Sequence, residues 1–140
     1  MGLNLKVMIV DKIAIAVYEH YNMPVELLKS KSRKREISQA RQMVWYFTKE
    51  LTKKGYSTIG KEYGFKNHST VLYGIRNITN LNQTDKQVKE DIEKINKKLR
   101  DLTQLEKMFN NLLEFLGPTD FNNYLKKYNY EQLYKTISTH

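Results

Sequence analysis

The chain has no cysteine, so neither a disulfide nor a thiolate metal site can hold it together, and a reducing compartment suits it. Two prolines and six glycines in 140 residues leave few breaks, which favours long helices. The three histidines, His20, His68 and His140, are scattered, and no His-Glu-x-x-His or other acid–base constellation is present. No enzyme activity, no metal and no cofactor are therefore expected. The apolar stretch from Val7 to Val10 is ended by Asp11 and Lys12, too soon for a signal peptide or a membrane span. No membrane partner is expected, and a cytoplasmic location is.

Acidic residues are also in short supply. The net charge is +9, and its distribution is uneven. Residues 1–82 carry 14 Lys and Arg against 6 Asp and Glu, whereas residues 83–140 carry 10 against 9. A basic front half points to phosphate or another polyanion.

Apolar residues from Leu5 to Tyr21 recur at steps of three and four and predict a first helix. Pro24 suits the first position of a short helix through Leu28. Ser30 to Ile37 reads as a polar loop. Ser38 is the expected N-cap of a helix to about Lys54, with Met43, Val44, Phe47 and Leu51 inward and Gly55 ending it. Ser57 is expected to cap a short helix stopped at Gly64, and Asn67 the next, to about Asn80. From Thr84 a long pattern (Val88, Ile92, Ile95, Leu99, Leu102, then Leu105, Phe109, Leu112, Leu116) runs to Gly117-Pro118. Short helical stretches follow around Phe121–Lys127 and Glu131–Ile137. No strand pattern stands out, and the class expected is all-α.

The segment from Ile59 to Tyr73 has the form of a helix-turn-helix: an amphipathic piece, a turn near Gly64, then a helix opening at Asn67. The second helix of such a unit offers its N-terminal end to base edges in the major groove. Asn67, His68, Ser69 and Thr70 occupy that first turn. Asn is also an excellent N-cap, so capping and base contact compete for it. Upstream, Lys29, Lys31, Arg33, Lys34 and Arg35 place five cations within seven residues. A flexible arm of this kind can hold phosphates or lay an arginine in a narrow minor groove. Gly55-Tyr-Ser-Thr-Ile-Gly60-Lys61 matches the start of a phosphate-binding P-loop, but Glu62 stands where a magnesium-holding hydroxyl belongs and a helix pattern precedes it. No nucleotide is expected.

These residues resemble a known family. Ala40-Arg41-Gln42-Met43, Lys49-Glu50-Leu51-Thr52, Ile59-Gly60, Phe65 and His68-Ser69-Thr70-Val71-Leu72 are similar, in order and spacing, to the C-terminal DNA-binding domain of the bacterial replication initiator DnaA. The family's usual pattern is Pro-Arg-Gln-Met, Ala-Lys-Glu-Leu-Thr, Ile-Gly and Asp-His-Thr-Thr-Val-Leu. The resemblance covers about Val7 to Leu99 and implies a helix-turn-helix bundle, Trp-repressor-like in form, binding double-stranded DNA at a short TTATCCACA-like box. It implies a minor-groove role for Arg33, with Lys31, Lys34 and Arg35 beside it, and contacts from Arg41, Gln42 and Lys49. It places the recognition residues at Asn67, His68, Ser69, Thr70 and Tyr73. Asn67 replaces an acidic residue, Tyr73 what is often His, and Ala40 the usual Pro. Residues 1–6 leave no room for the family's preceding ATPase module, so unaided origin melting is not expected.

The organisation expected is a DNA-binding domain at 1–101 and a C-terminal helical extension at 102–140. The extension either packs on its own module or forms a homodimer. Its stripe of Leu105, Phe109, Leu112 and Leu116, with aromatics from Phe121 to Tyr134, favours the second chain. The function expected is sequence-preferring duplex binding in replication initiation or its regulation. A helical adaptor, or a transcriptional regulator with altered base readout, is the alternative.

Overall fold

The computed structural model describes residues 12–63 and 66–127, the last four by backbone alone. The first part of the expected helix from Leu5, the stop at Gly64 and the stretch Glu131–Ile137 lie outside the described residues. Those described are all helix, turn or loop. α1 spans Lys12–His20, a 3-10 turn Val25–Lys29, α2 Arg35–Leu51, α3 Tyr56–Glu62, α4 His68–Thr84, α5 Lys86–Leu116 and α6 Pro118–Lys127. The fold is all-α, with a helix-turn-helix at α3 and α4. The described residues divide into two compact units, one within residues 13–95 and one of Lys12 with residues 96–127.

In the first unit, α1 ends in a Schellman motif. Asn22 takes the left-handed conformation (φ 54°), Met23 N donates to Tyr18 O at 2.9 Å and Asn22 N to Glu19 O at 3.1 Å. Pro24 sits one residue earlier than expected, as the N-cap of the 3-10 turn. α2 starts at Arg35 rather than after Ser38, with Lys34 as its N-cap and no side-chain cap bond. Its core side chains are Met43, Val44, Trp45 and Phe47, all essentially buried. Leu51, expected inward, is 56% exposed, because α2 stops there and Thr52 turns extended. Trp45 occupies the central place instead. Its indole N–H donates to the Tyr63 carbonyl, fixing α2 to the end of α3.

Gly55 is the N-cap of α3, not the end of α2, and Ser57 lies inside α3. α4 packs on both α2 and α3. A Cβ at Gly74 would lie 2.8 Å from the Trp45 ring, so a bare backbone lets α4 settle on α2. α4 continues to Thr84, past the expected Asn80, because Asp85 serves both ends. Its N–H donates to Leu81 O at 2.8 Å, and its Oδ1 accepts from Val88 N at 3.1 Å, opening α5. Val88, Ile92 and Ile95 are buried. The buried Asp91 carboxylate accepts from Tyr21 and Gln87 and meets His20 Nε2 at 2.8 Å.

In the second unit, Leu99, Leu102, Leu105, Phe109 and Phe121 are buried, with Phe109 and Phe121 edge to face at 6.0 Å. Lys12 Nζ pairs with Glu106 at 3.1 Å. Gly117, at φ 82°, ends α5, and Pro118 opens α6. Leu105 and Phe109, expected in a seam with a second chain, are buried within this one, while Leu112 and Leu116 are half-buried.

Candidate nucleic-acid interface

The turn between α3 and α4 closes because of Gly60. A Cβ there would lie 2.0 Å from the Lys66 carbonyl and 3.1 Å from Val71 Cγ2, and Lys66 N donates back to Gly60 O at 3.0 Å. Only glycine allows this approach. It brings Asn67 to the start of α4, where its Oδ1 accepts from Thr70 N at 2.9 Å. Asn67 is therefore the N-cap, as its type suggests. With Oδ1 so engaged, the side-chain NH2 is the part of Asn67 left to meet an acceptor.

His68, Ser69 and Thr70 are all exposed on the first turn of α4, and Tyr73 is 69% exposed one turn on. No acidic residue lies in that turn. Valine and isoleucine at 71, 75 and 78 hold the opposite face in the core. The helix thus divides into a buried apolar stripe and an outward polar end.

Lys49, on α2, reaches this patch through a ring that sequence reasoning passed over. Its Nζ lies 4.4 Å from the centroid of Tyr56, and the Tyr56 ring meets the His68 ring edge to face at 5.2 Å. Lys49 Nζ also donates to the Lys54 carbonyl at 3.3 Å. Tyr56 joins two expected site residues that lie 19 positions apart. No spacing rule signals it, since the three residues come from three helices.

Lys31, Arg33 and Lys34 are exposed in the loop, and Arg35 is exposed as the first residue of α2. Two serines of the loop bond its own backbone. Ser32 N donates to Ser30 Oγ at 3.1 Å, and Lys34 N to Ser32 Oγ at 3.2 Å. Arg41 is placed otherwise than expected for a DNA contact. It is 4% exposed; its Nε donates to Leu28 O at 3.2 Å and its Nη2 to Ser30 O. It ties α2 to the start of the basic loop. Gln42 is half-buried, its Oε1 accepting from Asn77 Nδ2 at 2.8 Å. The pair borders a cleft of about 250 Å³ that Arg35, Ser38, Gln39 and Leu81 also line.

The segment resembling a P-loop is the cap and body of α3, preceded by α2, and Glu62 is paired with Lys54. Among the described residues no three His, Asp or Glu side chains come together as a metal site would need. Nor is any described helix long and apolar enough to cross a membrane.

A family described as bacterial dnaA protein helix-turn-helix matches residues 10–78. The chromosomal replication initiator protein DnaA of Flavobacterium psychrophilum is 41% identical over 90 residues, 64% of this chain and 19% of that protein. That of Jannaschia sp. (strain CCS1) is 38% identical over 89 residues, again 64% and 19%. That of Rickettsia akari is 34% identical over 97 residues, 69% and 21%. The chain spans about a fifth of the length of these relatives. Over residues 10–78, the helix-turn-helix region of the chain is similar to the bacterial DnaA helix-turn-helix family.

Proposed function

We propose that the chain binds double-stranded DNA at short boxes of the kind bacterial replication initiators use, and acts in replication initiation or its regulation at the nucleoid. The reading assigns residues 1–101 to binding and residues 102–140 to an extension that supports self-association. The single observation that carries it is the exposed first turn of α4, where His68, Ser69 and Thr70 stand clear of a fully packed opposite face. Asn67 opens this end, and Tyr73 extends it by one turn. In this reading the end enters the major groove. Lys31, Arg33, Lys34 and Arg35 neutralise phosphates or enter the adjacent minor groove, and Lys49 adds a cation beside the recognition turn. Gln42 has its Nε2 left to offer a phosphate. Arg41 acts from inside, by setting where the basic loop begins.

The test is selection of bound duplexes from a random pool, followed by affinity for the selected box and for a scrambled duplex at one salt concentration. The selected box binds tighter by on the order of a hundredfold or more if base edges are read. Equal affinity for both duplexes would leave a helical adaptor with a basic face. Strong competition by A-form RNA would point to shape recognition instead.

A further inference from the structure

Among the described residues, the second half of α5 has two apolar faces, and only one is covered. Leu102, Leu105 and Phe109 are buried. Turned away from them are Met108, 49% exposed, and Phe115, 86% exposed, with half-buried Leu112 between them. Met108 and Phe115 are seven residues apart and Leu112 is four beyond Met108, so the three form one stripe along the helix. An exposed phenylalanine in line with two further apolar side chains is a surface that soluble proteins seldom leave to water.

The charges beside the stripe indicate what covers it. Lys107 and Glu114 are exposed, each one residue before a member of the stripe, and so flank it on the same side. Neither makes an ion pair among the described residues. In heptad terms Met108 and Phe115 take the a position, Asn111 the d position, and Lys107 and Glu114 the g positions. In a parallel pair of such helices Lys107 would face Leu112 of the other copy, and neither charge would find an opposite. In an antiparallel pair g meets g. The register that packs Met108 against Asn111 of the partner then sets Lys107 against Glu114 of the partner, twice by symmetry. The pattern is self-complementary in that orientation alone, as an interface with two-fold symmetry requires.

We infer that this outer face of α5 binds the same face of a second copy of this chain, antiparallel, with the two-fold axis between residues 109 and 110. The inference deepens the self-association included in the proposed function and names a different surface from the Leu105 and Phe109 stripe, which the chain uses for its own core. The seam is about two turns long, so the dimer belongs with small, transient interfaces and forms as concentration rises. On DNA carrying two boxes, this weak contact is enough to favour joint occupancy.

Sedimentation of the full chain without DNA, over a range of concentrations, tests the inference independently of DNA binding. The wild type shifts from monomer to dimer, and Phe115→Ser stays monomeric with an unchanged helical circular dichroism signal. Lys107→Glu and Glu114→Lys each weaken dimerisation by on the order of tenfold, having placed like charges together. The double reversal Lys107→Glu with Glu114→Lys restores it. Because the chain has no cysteine, single cysteines report the direction. In this register Asn111→Cys lies within reach of its own copy. Phe115→Cys is displaced from its copy by about 16 Å along the axis at 1.5 Å per residue, so a short bismaleimide links the first and not the second. A wild type that stays monomeric at its highest soluble concentration overturns the inference. So does a dimer indifferent to Phe115→Ser and to both reversals, or a preference for linking Phe115→Cys.

Discussion

Arg41 donates from Nε to the carbonyl of Leu28 at 3.2 Å, and its other nitrogen Nη2 holds the carbonyl of Ser30. A guanidinium can hold two carbonyls at once because its donors are fixed in one plane; an ammonium cannot hold that geometry. The two carbonyls flank the entry to the basic loop, so the orientation of Lys31, Arg33 and Lys34 depends on a buried residue. Arg41→Lys is expected to weaken binding to every duplex while leaving sequence preference intact. Neutralising Arg33, Lys34 and Arg35 together should do the same and flatten the salt dependence by up to about one unit of slope per lost phosphate contact. If Arg41 acts through the loop, the combined variant is no worse than the loop variant alone, a non-additivity that titrations at several salt concentrations would reveal. Full additivity would place Arg41 on the DNA independently of the loop.

Tyr56 lies between a cation and the first turn of α4, with Lys49 Nζ 4.4 Å from its ring centroid and the His68 ring 5.2 Å away. Tyr56→Phe keeps the ring and is expected to bind normally. Tyr56→Leu removes the ring face and should release both Lys49 and His68. The loss expected is roughly tenfold on the selected box and smaller on scrambled DNA, with a shift of the His68 ring proton resonances from loss of the neighbouring aromatic current. Equal losses on both duplexes, with His68 resonances unmoved, would mean that Tyr56 only supports α3.

What was legible in the sequence was local. Asn67 as a cap, Gly117-Pro118 as a helix end and the buried stripe from Val88 to Leu102 follow from side chains acting within a turn or two of their own position. What was not legible depended on distant partners. The destination of Arg41 is a pair of carbonyls 13 and 11 residues earlier, which no side-chain pattern announces. Ser38 is a good cap by type, yet α2 begins three residues before it at Arg35, so that Ser38 falls inside the helix. The apolar residues after Leu102 form a stripe in the sequence, but periodicity alone does not say whether this chain or another covers them. Burial of Leu105 and Phe109 here left Met108 and Phe115 as the outward face.

Two phenols make the fold sensitive to alkali. Burial pushes Tyr18 up to about 12, opposed in part by Arg41. Burial also pushes Tyr21 up to about 12, with the Asp91 carboxylate adding to the effect and the Gln39 hydrogen bond opposing it. A phenol in the unfolded chain titrates near ~10, so the folded state holds these protons more tightly. The stability they contribute is complete below that pH and is lost as pH rises from about 10 through about 12. Tyr18 has a further property: its hydroxyl is buried without a hydrogen-bond partner among the described residues. Tyr18→Phe removes an unsatisfied group and should leave neutral stability unchanged or raise it by about 1 kcal/mol, while flattening the alkaline limb. Tyr21→Phe gives up bonds to Asp91 and Gln39 and should cost about 1 kcal/mol at neutral pH. Thermal melts at neutral pH and above pH ~10 separate the three proteins. A clearly destabilised Tyr18→Phe at neutral pH would show that its hydroxyl has a partner after all.

Asn67 caps α4 and, in the proposed reading, also meets DNA; one pair of substitutions separates the two. Its Oδ1 caps α4 through Thr70 N at 2.9 Å. Asn67→Ala removes the cap, and helix stability should fall by about 1 kcal/mol, with weaker binding to all DNA. Asn67→Asp keeps an acceptor for the Thr70 N–H and adds a negative charge where a helix N-terminus favours one, so the fold is retained. What changes is the other half of the side chain, from an NH2 donor to a carboxylate acceptor. A donor suits the acceptors of purines or of thymine, whereas a carboxylate accepts from the amino group of cytosine. If Asn67 touches a base edge, Asn67→Asp should select a different box, with the contacted base pair changed to favour cytosine by roughly 1–3 kcal/mol and flanking positions kept. Selection from a random duplex pool with both proteins reads this directly. The same box from both would confine Asn67 to its cap and leave base choice to His68, Ser69, Thr70 and Tyr73.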